Sequence, residues 1–400
     1  MRRTTCSSCD FDALVTFLDL GKSPVADAYA DTKAESLALE YHPLELAVCT
    51  NCWLVQLLEV LPQEQLFGTG YHFYSSASPP LVDYHRRYAE AVLQREGLTA
   101  VTGLILEVGC NDGDMLQHFT RIGRRVIGVD PALGPAGVAR ERGLDVRIRP
   151  FGKAFAADLL DQNGPASIII ANHVLAHVAD VHDFLSGIEL MLAPGGVAYV
   201  EVQYLPDLLV NNAFDLVYHE HRNFFSFTSL QHAAERVGLA VRAMSLTERQ
   251  GGSLRVELVH RLDVTASDWT WLHGTEKWLT TVAAYEGFQG RVDRIKVRLS
   301  EMLFRLEVTK KRVAGYGAPA KATTLLNFLG WTPAYVVDTT EAKQLRYVPG
   351  TTAQIISPHN EIDMPDVYLL LAWNYASEII RNHWSYRGRW ILPIPAPVML

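Results

Sequence analysis

Residues Tyr218-His219-Glu220-His221 put a phenol, two imidazoles and a carboxyl into four consecutive positions. Imidazole changes charge near pH 6.5, so it moves protons at neutral pH, and a neighbouring carboxyl or phenol orients it or stabilises an oxyanion. A His-rich metal loop and a hydrogen-bonded structural turn are the competing readings of such a tetrapeptide. Four of the five cysteines form two CxxC pairs, Cys6/Cys9 and Cys49/Cys52. Each pair is spaced to hold one ion from a tight turn, and two pairs complete a tetrahedron, which predicts structural Zn2+. A redox pair or buried free thiols are the alternatives. Four thiolates leave no open coordination position, so a catalytic metal is not expected. The gap between the pairs, 39 residues, exceeds the ~15–20 of a compact ribbon, so the intervening strands must fold back.

A second kind of chemistry is written in glycines. Glu107-Val108-Gly109-Cys110-Asn111-Asp112-Gly113 begins at the end of the strand-like run LILEV and precedes a helical stretch. Gly109 and Gly113 would let a ligand approach the backbone, and Asp130, ending VIGVD about twenty residues on, suits a ribose hydroxyl. The glutamate before the first glycine and the missing middle glycine disfavour a dinucleotide pyrophosphate. Cys110 reads as a small loop residue rather than a nucleophile. A second strand–glycine–helix unit, GYGAPAK, places Gly315, Gly317 and Lys321 where free N–H groups and the helix dipole favour an anion. An unliganded turn of a nucleotide fold is the alternative there. Asp338, ending AYVVD, would meet a ribose or cap its strand.

The elements that must position these groups divide the chain by pattern. Residues 1–70 hold the cysteine quartet and short β-like runs, a small lobe that needs a staple. In 71–245, a helical stretch is followed by buried strands alternating with helices, as in a doubly wound sheet. Residues 246–400 begin with the strand-like GGSLRVELVHRLDV, then a long helix, then a smaller α/β unit. Net charge is −8, which disfavours capture of nucleic acid or anionic membrane. Apolar runs stay far short of the ~20 residues of a membrane span, and the first residues lack a signal-like apolar stretch. A cytoplasmic enzyme is expected. No long exposed apolar stripe is visible, so a monomer is expected too.

The E-x-G-x-x-x-G pattern with its following acid resembles class I S-adenosylmethionine (SAM)-dependent methyltransferases. EVGCNDG, YHEHRNFFSF, GGSLRV, GYGAPAK and LLAWNYASEII, in this order behind a four-cysteine lobe, resemble the sugar C-methyltransferases of antibiotic deoxysugar biosynthesis over nearly the whole chain. The resemblance implies an α/β architecture: a class I methyltransferase Rossmann-like domain between a zinc lobe and a second, C-terminal Rossmann-like domain that contributes to nucleotide-sugar binding. It implies SAM as methyl donor and a dTDP-linked 4-keto deoxysugar as substrate, methylated most commonly at C3. Its Y-H-E-H motif falls on Tyr218 to His221, with His221 as the base and His219 toward the substrate. His177 matches a further active-site histidine, although Ala176 stands where the family often has Glu. An active-site tyrosine falls in GYHFYSSAS, on Tyr74 or Tyr71. Glu107, Gly109, Asn111, Gly113, Asp130 and Asn172 are implied for the donor, and Tyr71, Gly317 and Lys321 for the substrate.

The chemistry also stands without the family. A carbon nucleophile requires a proton to be removed beside a ketone, so an acid–base cluster next to a methyl donor predicts C-methylation, whereas O-methylation needs one base and often a metal. A sulfonium suits an acidic, aromatic pocket. The alternatives left open are an NAD(P)-dependent oxidoreductase on a nucleotide-linked ketosugar, using the second glycine turn, and a zinc-lobed adaptor with an inactive methyltransferase fold.

Overall fold

A computed structural model describes residues 1–67, 73–97, 103–247, 252–264, 269–361 and 363–400. Tyr71, one of the two tyrosine candidates, lies outside the described residues. The first sheet is built from β1 (Leu14–Ser23), β2 (His42–Cys49) and β3 (Val55–Leu57). β1 and β2 pair antiparallel with Leu14 opposite Cys49. That hairpin folds the 39-residue gap back on itself and returns the second cysteine pair to the first.

The middle sheet contains β4 (Leu104–Val108), β5 (Val126–Val129), β6 (Val146–Arg147), β7 (Ala166–Asn172) and β8 (Leu192–Gln203). β9 (Asn223–Phe224) leaves it to pair with β3 as the fourth strand of the zinc lobe's sheet. β10 (Leu239–Thr247) and β11 (Ser253–His260) complete the middle sheet in the order β10-β11-β8-β7-β4-β5-β6. Renumbered within the sheet this reads 3-2-1-4-5-7-6 with the seventh strand antiparallel, the class I methyltransferase order. β4 and β7 are near-continuous apolar runs because helices cover both faces of a parallel sheet. β11 is a difference from the expected division at 245/246. It is hydrogen-bonded between β10 and β8, with Leu254, Val256 and Leu258 fully buried, so it belongs to the middle sheet.

The third sheet comprises β12 (Val313–Tyr316), β13 (Val336–Val337), β14 (Ile355–Ile356), β15 (Val367–Leu370), β16 (Arg389–Leu392) and β17 (Val398–Met399), ordered β14-β13-β12-β15-β16-β17. In both α/β sheets the chain winds outward in opposite directions from the first strand. The crevices at such switch points lie beyond β4/β7 and beyond β12/β15, where α/β proteins bind ligands. The helix Phe288–Val308 buries Phe288, Val292, Ile295, Leu299 and Leu303 in a core shared with β1, β2 and the helix Ala320–Leu329, joining the N-terminal sheet to the C-terminal unit. Its outer side exposes Val297, Phe304 and Val308, an apolar stripe that the monomer expectation did not include. No helix among the described residues is long and apolar enough to cross a membrane.

Candidate active site and zinc lobe

The four cysteine sulfurs lie within 4.8 Å of one another, all buried. Cys6–Cys52 and Cys9–Cys49 are each 3.5 Å apart, close to the ~3.8 Å edge of a tetrahedron with Zn–S bonds of about 2.3 Å. Hydrogen bonds from Cys49 and Cys52 hold Cys6 far below the ordinary thiol range, while the same crowding leaves Cys52 far above it. A divalent cation would relieve that competition for one proton-poor site. The donor set fits Zn2+ and closes its coordination sphere, so the ion is structural. Gln56 connects this knuckle to the segment that follows Tyr218–His221. Its amide donates to Cys6 Sγ at 3.2 Å and accepts from Ser7 N–H, and Ser7 Oγ donates to Asn223, two residues after His221.

One cavity of about 610 Å3 gathers side chains from all three sheets: Asp27 and Tyr29 from the N-terminal lobe, Glu107 and Asp130 from the middle, Lys321 and Lys343 from the C-terminal unit. At its donor pole, Gly109 has φ +74°, and a Cβ there would lie 2.2 Å from Val174 Cγ2, so only glycine fits. Glu107 Oε2 and Asn172 Oδ1 are buried without a hydrogen-bond partner among the described residues. Burial, then the charges of Asp114, Asp130 and Asp112, push Glu107 well above the usual carboxylate range. Asp130 accepts from Asn111 N–H at 2.9 Å and Ala132 N–H at 2.8 Å, and burial raises it to about 6 despite those donors. A glycine cradle, two orphaned acceptors and a carboxylate at the next strand's tip fit the ammonium, sulfonium and ribose hydroxyls of SAM.

Not every expected donor residue is used alike. Gly113 does not line the cavity. A Cβ there would strike Leu144 and Ala139, so this glycine serves packing against the next helix. Asn111 lines the cavity, but its amide is committed to the chain that covers it, accepting from Ser75 N–H and donating to the Phe73 carbonyl. Those bonds turn Phe73 and Ser75 to the cavity and leave Tyr74 outside its lining, against expectation. Cys110 is buried against Gly128 and its thiol is pushed well up by burial, consistent with a packing role.

The tetrapeptide lies between the two switch points. His221 Nδ1 is 2.9 Å from the Leu216 carbonyl and Nε2 is 2.8 Å from the Tyr218 hydroxyl. The carbonyl can only accept, so Nδ1 carries the proton and Nε2 presents a lone pair. Burial, then the neighbouring His177, holds His221 well below its ordinary pKa, so the ring is neutral. His177 donates from Nδ1 to the Glu220 carbonyl at 2.6 Å, and burial lowers it to about 4. The Ala176 carbonyl accepts from Arg222 and Asn223 N–H at 2.7 and 3.0 Å, clamping the two loops together. Burial, then Asp27, raises Glu220 to about 8, and its Oε1 accepts from Asp27 N–H. His219 departs from its expected place at the substrate. It lies outside the cavity lining and reaches the Pro43 carbonyl at 3.2 Å, while Tyr218, Glu220, His221 and Arg222 line the cavity.

At the other switch point, Lys321 Nζ is buried 2.6 Å from Asn374 Oδ1 and 3.9 Å from the centre of the Trp373 ring. Burial lowers its pKa to about 8 against the attraction of Asp215. Gly317 is not a cavity residue: a Cβ there would lie 2.6 Å from that of Ala372, so the glycine lets β12 and β15 end side by side. Asp338 holds the turn, accepting from Ala318 and Thr340 N–H. Asp27, Tyr29, His85, Arg222 and Lys343 line the cavity without having been singled out in sequence. Arg222 directly follows the Tyr218–His221 cluster, whereas the runs of the other four carry no glycine signature or acid–base cluster, and only the packing of three units brings them together.

The fold and the donor pole define a class I SAM-dependent methyltransferase. A "Methyltransferase domain" family model matches residues 82–244, a "C-methyltransferase C-terminal domain" model matches 248–395, and a "Putative zinc binding domain" model matches 6–67. The C-methyltransferase NovU of Streptomyces niveus is 33% identical over 404 residues, covering 98% of this chain and 96% of the relative. The chain therefore belongs to the family of SAM-dependent C-methyltransferases that its motifs resemble. A ubiquinone biosynthesis O-methyltransferase of Nitrobacter winogradskyi is 35% identical over 101 residues, covering 25% of this chain and 39% of that protein. Among solved structures, magnesium protoporphyrin IX methyltransferase from Synechocystis PCC 6803 is 15% identical with a TM-score of 0.36, covering 44% of this chain and 83% of that one.

Proposed function

We propose that the protein methylates C3 of a dTDP-linked 4-keto deoxysugar, with His221 as the base. The observation that carries this reading is a neutral imidazole with its lone pair on Nε2, in one cavity with an acidic donor pole and two lysines. SAM supplies the electrophilic methyl group when bound. The proton on the carbon beside the ketone passes to His221 Nε2 while the electron pair moves toward the carbonyl oxygen. Once Nε2 is protonated, the Tyr218 hydroxyl is free to donate to that oxygen, and Glu220, protonated below about pH 8, offers a second donor. His177 fixes the backbone of Glu220 and thereby the spacing of this pair. Lys321 and Lys343 supply charge for the diphosphate, so that the C-terminal unit holds the nucleotide sugar and the middle sheet the donor.

Solvent exchange at the sugar carbon separates the base from the rest. In D2O, with S-adenosylhomocysteine in place of SAM, the wild type is expected to wash deuterium into C3 without methylation. His221→Asn should abolish that exchange and lower turnover by ~10²–10⁴, the usual cost of a lost general base, with both ligands still bound. Exchange by His221→Asn at the wild-type rate would move the base elsewhere, with His177 next.

A further inference from the structure

The donor pole as described accounts for the adenosine and the cationic part of SAM but not for its carboxylate. Glu107, Asp130 and the orphaned Asn172 oxygen are all acceptors, which repel an anion. Positive charge on the cavity wall belongs mostly to other places. Arg149 lies next to Phe151 beyond β6, His173 is bound to Glu201 at 3.1 Å, Arg222 reaches the Leu61 carbonyl, and Lys321 and Lys343 sit at the C-terminal switch point.

His85 differs from all of these. It stands on the helix Pro79–Glu96, lines the cavity, and contacts the glycine loop itself: its Nδ1 is 2.9 Å from Asp114 Oδ2, directly after Gly113. Asp114 is buried, and its other oxygen accepts from Gln117 Nε2 at 2.8 Å. Burial works against ionisation of Asp114, yet the hydrogen bond and charge of His85 hold it below the usual carboxylate range. An ionised Asp114 accepts from Nδ1, so that nitrogen carries a proton and Nε2, without a partner among the described residues, is the free end of the ring. Glu107, His118, Arg121 and Glu90 are among the charged or titratable groups around this pair.

We infer that the His85–Asp114 pair is the site that binds the amino-acid carboxylate of the methyl donor, with Asp114 holding the ring by Nδ1 and the Nε2 end meeting the ligand. The carboxylate completes a chain of hydrogen-bonding groups, Asp114, His85, ligand carboxylate, in which the ring joins the two acids. This assignment rests on the donor pole being a SAM site. It also gives the helix Pro79–Glu96 a second duty. Ser76 hydrogen-bonds Asp112 while Ser75 binds Asn111, so the segment that carries His85 is fastened to the same loop that cradles the donor.

Calorimetric titration with S-adenosylhomocysteine and with 5′-methylthioadenosine, which lacks the amino-acid moiety, tests the pair. His85→Ala is expected to weaken S-adenosylhomocysteine about 10–100-fold, the scale of a charged hydrogen bond, and to leave methylthioadenosine within about twofold. His85→Gln, which keeps size and a donor without the charge, should fall between, again only for the ligand with the carboxylate. Unchanged S-adenosylhomocysteine affinity in His85→Ala, or equal losses for both ligands in both variants, would overturn the inference. Failure of the wild type to bind either ligand would instead overturn the donor site on which it rests.

Discussion

The two glycine turns of this molecule are built alike and left in opposite states. At each, an acid ending the next strand accepts one N–H from the turn and one from two residues beyond itself: Asp130 from Asn111 and Ala132, Asp338 from Ala318 and Thr340. The first turn then opens on unpaired acceptors. The second is closed by its own chain, with Ala372 against Gly317 and the Ala318 carbonyl taken by Tyr29 and Lys343. What the second turn offers the cavity is cations. The same supersecondary unit therefore makes an acidic pole suited to a sulfonium and a basic one suited to a diphosphate, and the difference is set by the residues that arrive from elsewhere. The closed second turn also leaves little for a dinucleotide to grip, which counts against the oxidoreductase reading.

The sharpest way to break this contrast is Lys321→Met. It should weaken the nucleotide sugar about 10²-fold, as for a lost charged hydrogen bond, and leave S-adenosylhomocysteine unchanged by calorimetry. Asp130→Ala should do the reverse, weakening the donor by about 1–3 kcal/mol while the nucleotide sugar binds as before. Crossed results would exchange the roles of the two poles. The smallest effect concerns pH. Glu220 rises to about 8 in the folded protein, so its protonated form, and any rate that depends on it, is present below that pH and lost above it. Glu220→Gln keeps a neutral donor at every pH and should flatten the alkaline limb of the kcat profile with only a few-fold loss at pH 7. An unchanged alkaline limb would assign that limb to another group.

Local chemistry made some features legible in sequence. The cysteine pairs, the Glu107–Gly109 cradle with Asp130, and the Tyr218–His221 cluster are each defined by residues within a few positions or by fixed strand–turn–helix spacing, and the structure gathers them as that spacing requires. The continuous apolar runs of β4 and β7 marked a parallel sheet because both of its faces are buried. Other features were not legible. β11 alternates like any half-buried strand, and nothing local says that it inserts between β10 and β8. The resemblance put the active-site tyrosine on Tyr74 or Tyr71, yet hydrogen bonds with Asn111, nearly forty residues away in sequence, set which of Phe73, Tyr74 and Ser75 turns inward.

By itself, then, the sequence determined the kinds of chemistry available: a thiolate site for zinc, a glycine cradle beside acids, and a histidine cluster able to move a proton. Only the tertiary structure decided which of these meet and in what charge state. His219 left the cavity for a backbone carbonyl, Gly113 and Gly317 became packing residues, and Asp27, Tyr29 and His85 entered the cavity from segments that carry no motif. The reason is physical. Residue type and spacing fix what a short stretch can do, but burial, hydrogen-bond partners and neighbouring charge come from chain that is distant in sequence, and these set both the direction of a side chain and its proton.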